Sequence, residues 1–296
     1  MVDLDTLACM DGLVWLRSGR EVAHRLNLDQ SSVSRRQQRC ASSFGVTLKK
    51  KEQEWVIQGD RTLLNMERRV HQAARLQGVR PLRLEASYWT LPLLCDPEPS
   101  GWIAGLSNLV GVEPNLTLLR ERICDAWICG LPEQPDLEDP DLCILPLCTM
   151  PLQLLVRADH PLVNRPSLSI EDLQAFPSLA LPNGVYPTTE KQLRAIGLWN
   201  SPVRMTRYRK ELWEGRSATD VTIGYGHCLS QAAGNESLVS LPFELPFASG
   251  EVLVVQREQR QHPTIQALAH DLRTRLEALQ ERYPEIRLTP LARADV

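Results

Sequence analysis

The stretch from Gly19 to Gly45, GREVAHRLNLDQSSVSRRQQRCASSFG, constrains the chain more than any other. Val22, Ala23 and Leu26 stand at i, i+1 and i+4, one apolar helical face, and the NLD break after them precedes a second helical run. Asp29 is placed to cap that second helix, because its carboxylate can accept from the first free backbone N–H groups. The second helix carries Gln30, Ser31, Ser32, Ser34, Arg35, Arg36 and Arg39 on its polar side. Such side chains donate to phosphates and to purine edges in a major groove, so the stretch reads as a helix-turn-helix; a solvated polar helix draws on the same residue types.

The flanks sharpen this reading. Leu4, Leu7, Leu13, Val14 and Leu16 mark a supporting helix over 3–16, with Gly12 its weak point. After Gly45, Val46 and Leu48 enter a short strand, Lys49, Lys50 and Lys51 make a basic turn, and Trp55 to Ile57 return, a wing whose lysines meet phosphate. Asp60 then caps a long helix to about Gln77, in which Leu63, Met66, Val70 and Ala73 follow the spacing of a two-helix seam. A helix leaving a small DNA-binding head is well placed to pair with its symmetry mate and so address two half-sites.

Charge divides along the chain: 14 Lys and Arg stand against 9 Asp and Glu over residues 1–80, and 19 against 27 over the rest. A basic head on an acidic body suits a nucleic-acid module joined to something that must not adhere to DNA. No apolar run is long enough to span a bilayer and the first residues, MVDLDTLACMDG, are acidic, so a cytoplasmic protein with no membrane partner is expected. Its eight cysteines are then reduced thiols, and the two C-x4-C spacings, Cys124/Cys129 and Cys143/Cys148, read as small apolar core residues. No metal-ligand pattern, cofactor motif or nucleophile elbow is present, and no catalytic residue is assigned.

From Pro81 onward, helical runs alternate with short apolar strands, at Leu82 to Ala86, Asp125 to Ile128 and through LCILPLCTMPLQLLV, which predicts an open, largely parallel α/β sheet. Gly224-Tyr225-Gly226-His227 lacks the spacing and the lysine of a phosphate loop and reads as a turn entering a strand.

The first 80 residues resemble the N-terminal domain of the LysR-type transcriptional regulators, through Ser18, Ala23 and Leu26, through Gln30, Val33, Ser34 and Arg35, and through Gly45-Val46 with Leu48. Gly19, Gln37, Cys40 and Lys49 depart from that family's apolar positions. RADHPL at Arg157 to Leu162, IEDLQAFPSLALP and DVTIGYGHCLSQ resemble its effector domain, and the region 95–113 looks shortened.

The resemblance implies an α/β protein with an N-terminal winged helix-turn-helix (1–59), a long linker helix (60–80) and an effector domain (81–296) of two Rossmann-like, periplasmic-binding-protein-like subdomains, about 81–155 with 251–290 and about 156–250. It implies Gln30, Ser32, Ser34 and Arg35 on bases and Lys49 to Lys51 on the DNA backbone. In the crevice it points to Ser87 at a strand-to-helix junction, where an organic anion would find helix N–H groups, to Tyr88 and Trp89 as a floor, and to Thr149, Asn183, Gly184 and Thr188 opposite. The implied partners are operator DNA, a small-molecule effector, a second copy in a homodimer or homotetramer, and RNA polymerase. Two other readings compete: a ligand-binding protein whose degenerate head no longer reads DNA, and an enzyme with an α/β substrate domain.

Overall fold

Asp3 opens the first helix of the computed structural model, its carboxylate accepting the Thr6 N–H at 2.8 Å. The structure describes residues 2–234 and 237–290, and the chain divides into two compact units. In the first unit, α1 (Leu4–Leu16) contains Gly12 because α2 (Gly19–Arg25) comes too close for anything larger: a Cβ there would stand 3.0 Å from a Val22 methyl. Ser18 caps α2 through the Glu21 N–H, and Asp29 caps α3 (Gln30–Ser43) through the Ser32 N–H at 2.7 Å. Gly45, at φ +64°, then turns the chain into a hairpin of β1 (Thr47–Lys51) and β2 (Glu54–Gln58).

That hairpin corrects one expectation. Lys49, Lys50 and Lys51 lie in β1, and the turn is Glu52–Gln53, with φ of 50° and 69°. Two left-handed residues match the twist of flanking antiparallel strands, so the polar pair closes the loop and the lysines extend the ladder, Lys50 opposite Trp55. Cys40 is fully buried with Leu7, Met10 and Leu64, and serves as a small apolar side chain in the core, while Gln37 is half-buried at its edge.

The unit continues through α4 (Thr62–Leu76), the parallel pair β3 (Leu82–Glu85) and β4 (Trp102–Ala104), and residues 117–125. Asp60 precedes α4, accepting from the Thr62 N–H at 2.9 Å and from its hydroxyl at 2.6 Å. The inward face of α4 is charged. Arg68, 0% exposed, binds Asp11 at 2.8 Å and Glu121 at 2.6 Å, and donates to Asn65 at 3.0 Å. Arg75 forks onto Asp125 with two 2.8 Å bonds, Gln72 donates to the same carboxylate at 3.0 Å, and so does the Arg83 N–H at 2.8 Å. Burial works against the charge on Arg68 and Arg75, but the carboxylates outweigh it and hold both guanidiniums above their ordinary pKa.

The second unit begins with α5 (Thr90–Leu94) and includes the start of α6 (Val112–Arg120). Its main ladder is antiparallel: β12 (Ala248–Gln256) runs between β5 (Ala126–Leu131) and β6 (Leu142–Pro151), and β13 (Arg287–Leu288) joins the far side of β6. This overturns the expectation of a largely parallel sheet, because β12 returns to the sheet from a long excursion and enters against its neighbours. That excursion holds β7 (Gln153–Arg157), α7 (Ile170–Gln174), β8 (Leu179–Ala180), α8 (Pro187–Ala195), β9 (Ser201–Pro202), α9 (Glu214–Thr219), β10 (Gly224–Gly226), α10 (Cys228–Ala233) and β11 (Leu238–Ser240). β7 is flanked by β10 and β11, both antiparallel to it, and Leu154, Val156, Leu193 and Ile223 fill the core beneath. α11 (Pro263–Gln280) buries Ile265, Leu268, Leu272 and Leu276, a 3, 4, 4 spacing that puts one apolar face inward.

His160 of the RADHPL segment is structural: its Nδ1 accepts the Leu162 N–H at 3.2 Å, so Nε2 carries the proton and donates to the Val221 carbonyl at 3.1 Å. All eight cysteines are free and buried, and burial pushes Cys40, Cys95 and Cys228 each up to about 12.

Removing one side of the α4 network leaves charge buried without its counterion. Asp125→Ala strands the Arg75 fork together with the Gln72 amide and the Arg83 N–H, and is expected to cost about 3–5 kcal/mol in urea unfolding. Asp159→Ala, which breaks an exposed pair with Arg157, is expected to cost under about 1 kcal/mol in the same measurement.

Candidate functional site

In the first unit, α3 presents Gln30, Ser31, Ser34, Arg35 and Arg39 to solvent, and β1 presents Lys49, Lys50 and Lys51. Three of the expected contact residues are already engaged. Ser31 and Ser32 donate their hydroxyls to the capping carboxylate of Asp29 at 2.6 and 2.7 Å, and Arg36, half-buried, pairs with Asp5 at 3.1 Å. Arg35 donates to the Ser32 hydroxyl at 3.0 Å, which draws its guanidinium toward the N-terminal end of the helix. The hydroxyl bonds hold the Asp29 carboxyl well below the usual carboxylate range. On α4, Leu63, Met66 and Val70 are 64%, 61% and 49% exposed, and Ala73 is exposed on the same side.

The second unit contains a cavity of about 140 Å3, partly open to solvent. Its wall is aromatic, with four tryptophans, Trp89, Trp127, Trp199 and Trp213, and four tyrosines, Tyr88, Tyr186, Tyr208 and Tyr225. Tyr88 stacks on Tyr208 with ring centroids 3.4 Å apart and planes 6° apart, and the Tyr208 hydroxyl donates to Glu214 at 2.5 Å. Gly130 lets Trp89 lie against β5, since a Cβ there would meet the indole at 3.2 Å.

Of the expected effector residues, Ser87, Tyr88 and Trp89 line this cavity and Thr149, Asn183, Gly184 and Thr188 do not. Asn183 accepts from Arg194 and the Gly184 N–H donates to Glu190, which ties that loop to the exposed side of α8. Thr188 lies in α8 rather than in a loop, and its neighbour Thr189 takes the place on the wall. Ser87 is not a helix cap: α5 starts at Thr90, and the Ser87 carbonyl accepts both the Thr90 and Leu91 N–H groups, at 3.1 and 3.2 Å. The segment 107–111 of the region that looked shortened still supplies wall, through Leu109, Val110 and Gly111.

Two polar groups of the cavity wall and one behind it carry roles that the sequence reading did not assign. Glu133 accepts the Thr189 N–H at 2.6 Å and the Thr188 N–H at 3.4 Å, placing its carboxylate on the N-terminus of α8. His227 caps α10, its Nδ1 accepting the Ser230 N–H at 3.4 Å, and burial lowers its pKa to about 4, so the ring is neutral with its proton on Nε2. This replaces the expected turn into a strand: Gly224–Gly226 is itself the strand, and His227 with Cys228 begins the helix. Glu251, fully buried on β12, accepts from Trp89 Nε1 at 2.6 Å, and burial pushes it up to about 8. A lone carboxyl inside the apolar run SGEVLVVQ was the signal available for it.

These features define an α/β unit with a partly open, mostly apolar cavity. The family model described as LysR substrate binding domain matches residues 112–277, more than half of the chain, and the chain belongs to the LysR family of transcriptional regulators. No curated protein sequence matches it with significance. Among solved structures it is similar to a full-length OxyR variant from Pseudomonas aeruginosa, 18% identical, with a TM-score of 0.58 over 92% of this chain and 95% of that one. A probable transcriptional regulator from the same organism is 15% identical, with a TM-score of 0.55 over 92% and 97%. Full-length CbnR, solved with its target DNA, is 15% identical, with a TM-score of 0.53 over 93% and 100%. At these identities the likeness is one of fold. Among the described residues no helix is long and apolar enough to cross a membrane.

Glu251 and His227 set opposite pH dependences. With its folded pKa raised from 4.5 to about 8, Glu251 gives its full stability at low pH and loses it as pH rises through about 8. His227, lowered from 6.5 to about 4, gives stability above pH 6.5 that is lost as pH falls through about 4. Glu251→Gln keeps an acceptor for Trp89 and removes the ionisation. In urea unfolding across pH, the variant should match the parent below about pH 4, draw ahead of it as pH rises, and exceed it by a few kcal/mol near pH 9.

Proposed function

We propose that this LysR-family protein is a sequence-specific DNA-binding regulator whose affinity for its operator answers to a small molecule held in the aromatic cavity. The observation that carries the reading is a capped helix, α3, with Gln30, Ser34 and Arg35 open to solvent beside a strand bearing Lys49, Lys50 and Lys51. A bidentate Arg suits guanine and Gln suits adenine, whereas lysines along a strand suit phosphates. The DNA complex of CbnR, a protein of the same overall fold, supports the assignment. In this reading Ser31 and Ser32 shape the reading helix by holding the Asp29 cap and Arg36 by pairing with Asp5, whereas the exposed Arg35 exchanges its Ser32 hydroxyl contact for a base, and Arg39 joins the phosphate contacts.

The head comprises residues 1–59, the linker helix 60–80 and the sensing part 81–296. Leu63, Met66, Val70 and Ala73 pair two linker helices, because an exposed apolar stripe at helical spacing gains by covering itself with its symmetry mate. The dimer addresses two half-sites, and two dimers join into a tetramer through the sensing part. Effector binding shifts the population between arrangements of that part, and the paired heads read out the shift.

DNA selection with the purified protein tests this directly, and recovery of one inverted repeat is the expected result. On that repeat Arg35→Ala should weaken binding by about 1–3 kcal/mol. Lys50→Ala should weaken binding to all sequences alike and lower the salt slope of log affinity by about one. Selection that returns no preferred sequence would remove the head from the reading.

A further inference from the structure

The charge balance of the cavity narrows its ligand. Among its lining residues there is no Lys or Arg, so nothing with a formal positive charge faces an anion. The remaining source of positive field is the N–H groups at helix starts, and the protein has used them. On α8 the Thr188 and Thr189 N–H groups go to Glu133, on α5 the Thr90 and Leu91 N–H groups go to the Ser87 carbonyl, and on α10 the Ser230 N–H goes to His227. Glu133 is thus an internal carboxylate occupying the place where a ligand carboxylate would be held.

Negative charge is cancelled as thoroughly. Glu133 is compensated by the start of α8, and Glu251, behind Trp89, is raised by burial to about 8, so it is a neutral acid at pH 7. A cationic ligand would find aromatic faces but no free carboxylate, and an anionic one would find Glu133 in its way. What the wall offers is mostly apolar and aromatic surface, with uncharged polar side chains such as Ser87, Thr189 and the neutral His227 set among it. The volume sets the size: a cavity of about 150 Å3 in an engineered protein core takes up benzene, and the one here is about 140 Å3.

We propose that the cavity selects an uncharged, single-ring aromatic molecule, and that Glu133 is the residue that excludes carboxylates. This rests on the cavity being the effector site. An uncharged ring gives up little hydration on entry, whereas burying an ionised carboxylate with no counterion costs several kcal/mol.

The test is calorimetric titration of the full-length protein at pH 7 with benzamide and phenol as neutral probes, benzoate and phenyl phosphate as anions, and benzyltrimethylammonium as a cation. Benzamide or phenol should bind at least about tenfold more tightly than any charged probe. Glu133→Gln should raise the ratio of benzoate to benzamide affinity severalfold, and Ser87→Trp, which fills the cavity, should abolish benzamide binding while the unfolding midpoint is kept. Benzoate or the ammonium probe binding as tightly as benzamide in the parent, with Ser87→Trp abolishing it, would overturn the uncharged-ligand inference and leave the effector reading standing. Binding of every probe unaffected by Ser87→Trp, or no binding of any, would overturn both.

Discussion

The contact on which the first unit depends is the fully buried guanidinium of Arg68, held by Asp11 from α1 and Glu121 from the segment 117–125. A buried arginine is tolerable only with its charge matched, and here two carboxylates flank the guanidinium while Nε and Nη1 donate to Asp11, Glu121 and the Asn65 amide oxygen. One α4 turn pair further on, Arg75 repeats the arrangement with Asp125, which also receives Gln72 and the Arg83 N–H. Sequence positions 11, 68, 75, 83, 121 and 125 therefore converge on α4. Such a network adds less net stability than an apolar core of equal volume, but it tolerates far fewer arrangements, because a forked pair works in only one orientation.

The second unit treats polarity in the opposite way. Around the cavity it neutralises each charge instead of pairing salt bridges: Glu133 spends its carboxylate on a helix start, His227 stays unprotonated, and Glu251 keeps its proton. All three follow from burial among aromatic rings, which penalises any ion that lacks a partner. Glu251 sits beside a β-bulge, where β6 carries one extra residue, Leu147, between the partners of Glu251 and Val252. A carboxyl set at that irregularity ties the indole of Trp89 to the sheet and fixes one wall of the cavity.

The helical elements of the head could be read from the sequence because their signals are local: Asp29 as a cap, Gly45 at the end, and apolar residues at helical spacing. The turn at Glu52–Gln53 was missed because neither residue is Gly or Asn, and the three lysines before it resemble a loop. The strand directions around β12 depend on a long-range return of the chain that no local pattern encodes. At the cavity, Ser87, Tyr88 and Trp89 were found because they stand together at a strand end. Glu133 was not, since a lone acid after a strand looks like a surface residue until the α8 N–H groups are brought to it, and His227 was read as part of a turn entering a strand because nothing local shows that it caps a helix. The inward arginines of α4 were missed for the same reason, charged residues on a helix being solvated far more often than buried.

The two faces of α4 bear on each other. Leu63, Met66 and Val70 point outward while Arg68 and Arg75 point inward, and the helical period of 3.6 residues fixes the angle between the stripes. Apolar contacts alone would let such a helix roll about its axis, because burying Leu63 or Met66 is worth about 1.5–3 kcal/mol in many orientations. A roll of one residue, about 100°, would carry both guanidiniums away from their carboxylates, and breaking one buried pair already costs about 3–5 kcal/mol. The penalty for rolling is then larger than anything the outer stripe gains by it. The buried charges hold the exposed stripe at a single angle, which is the condition for two such helices to meet in one geometry.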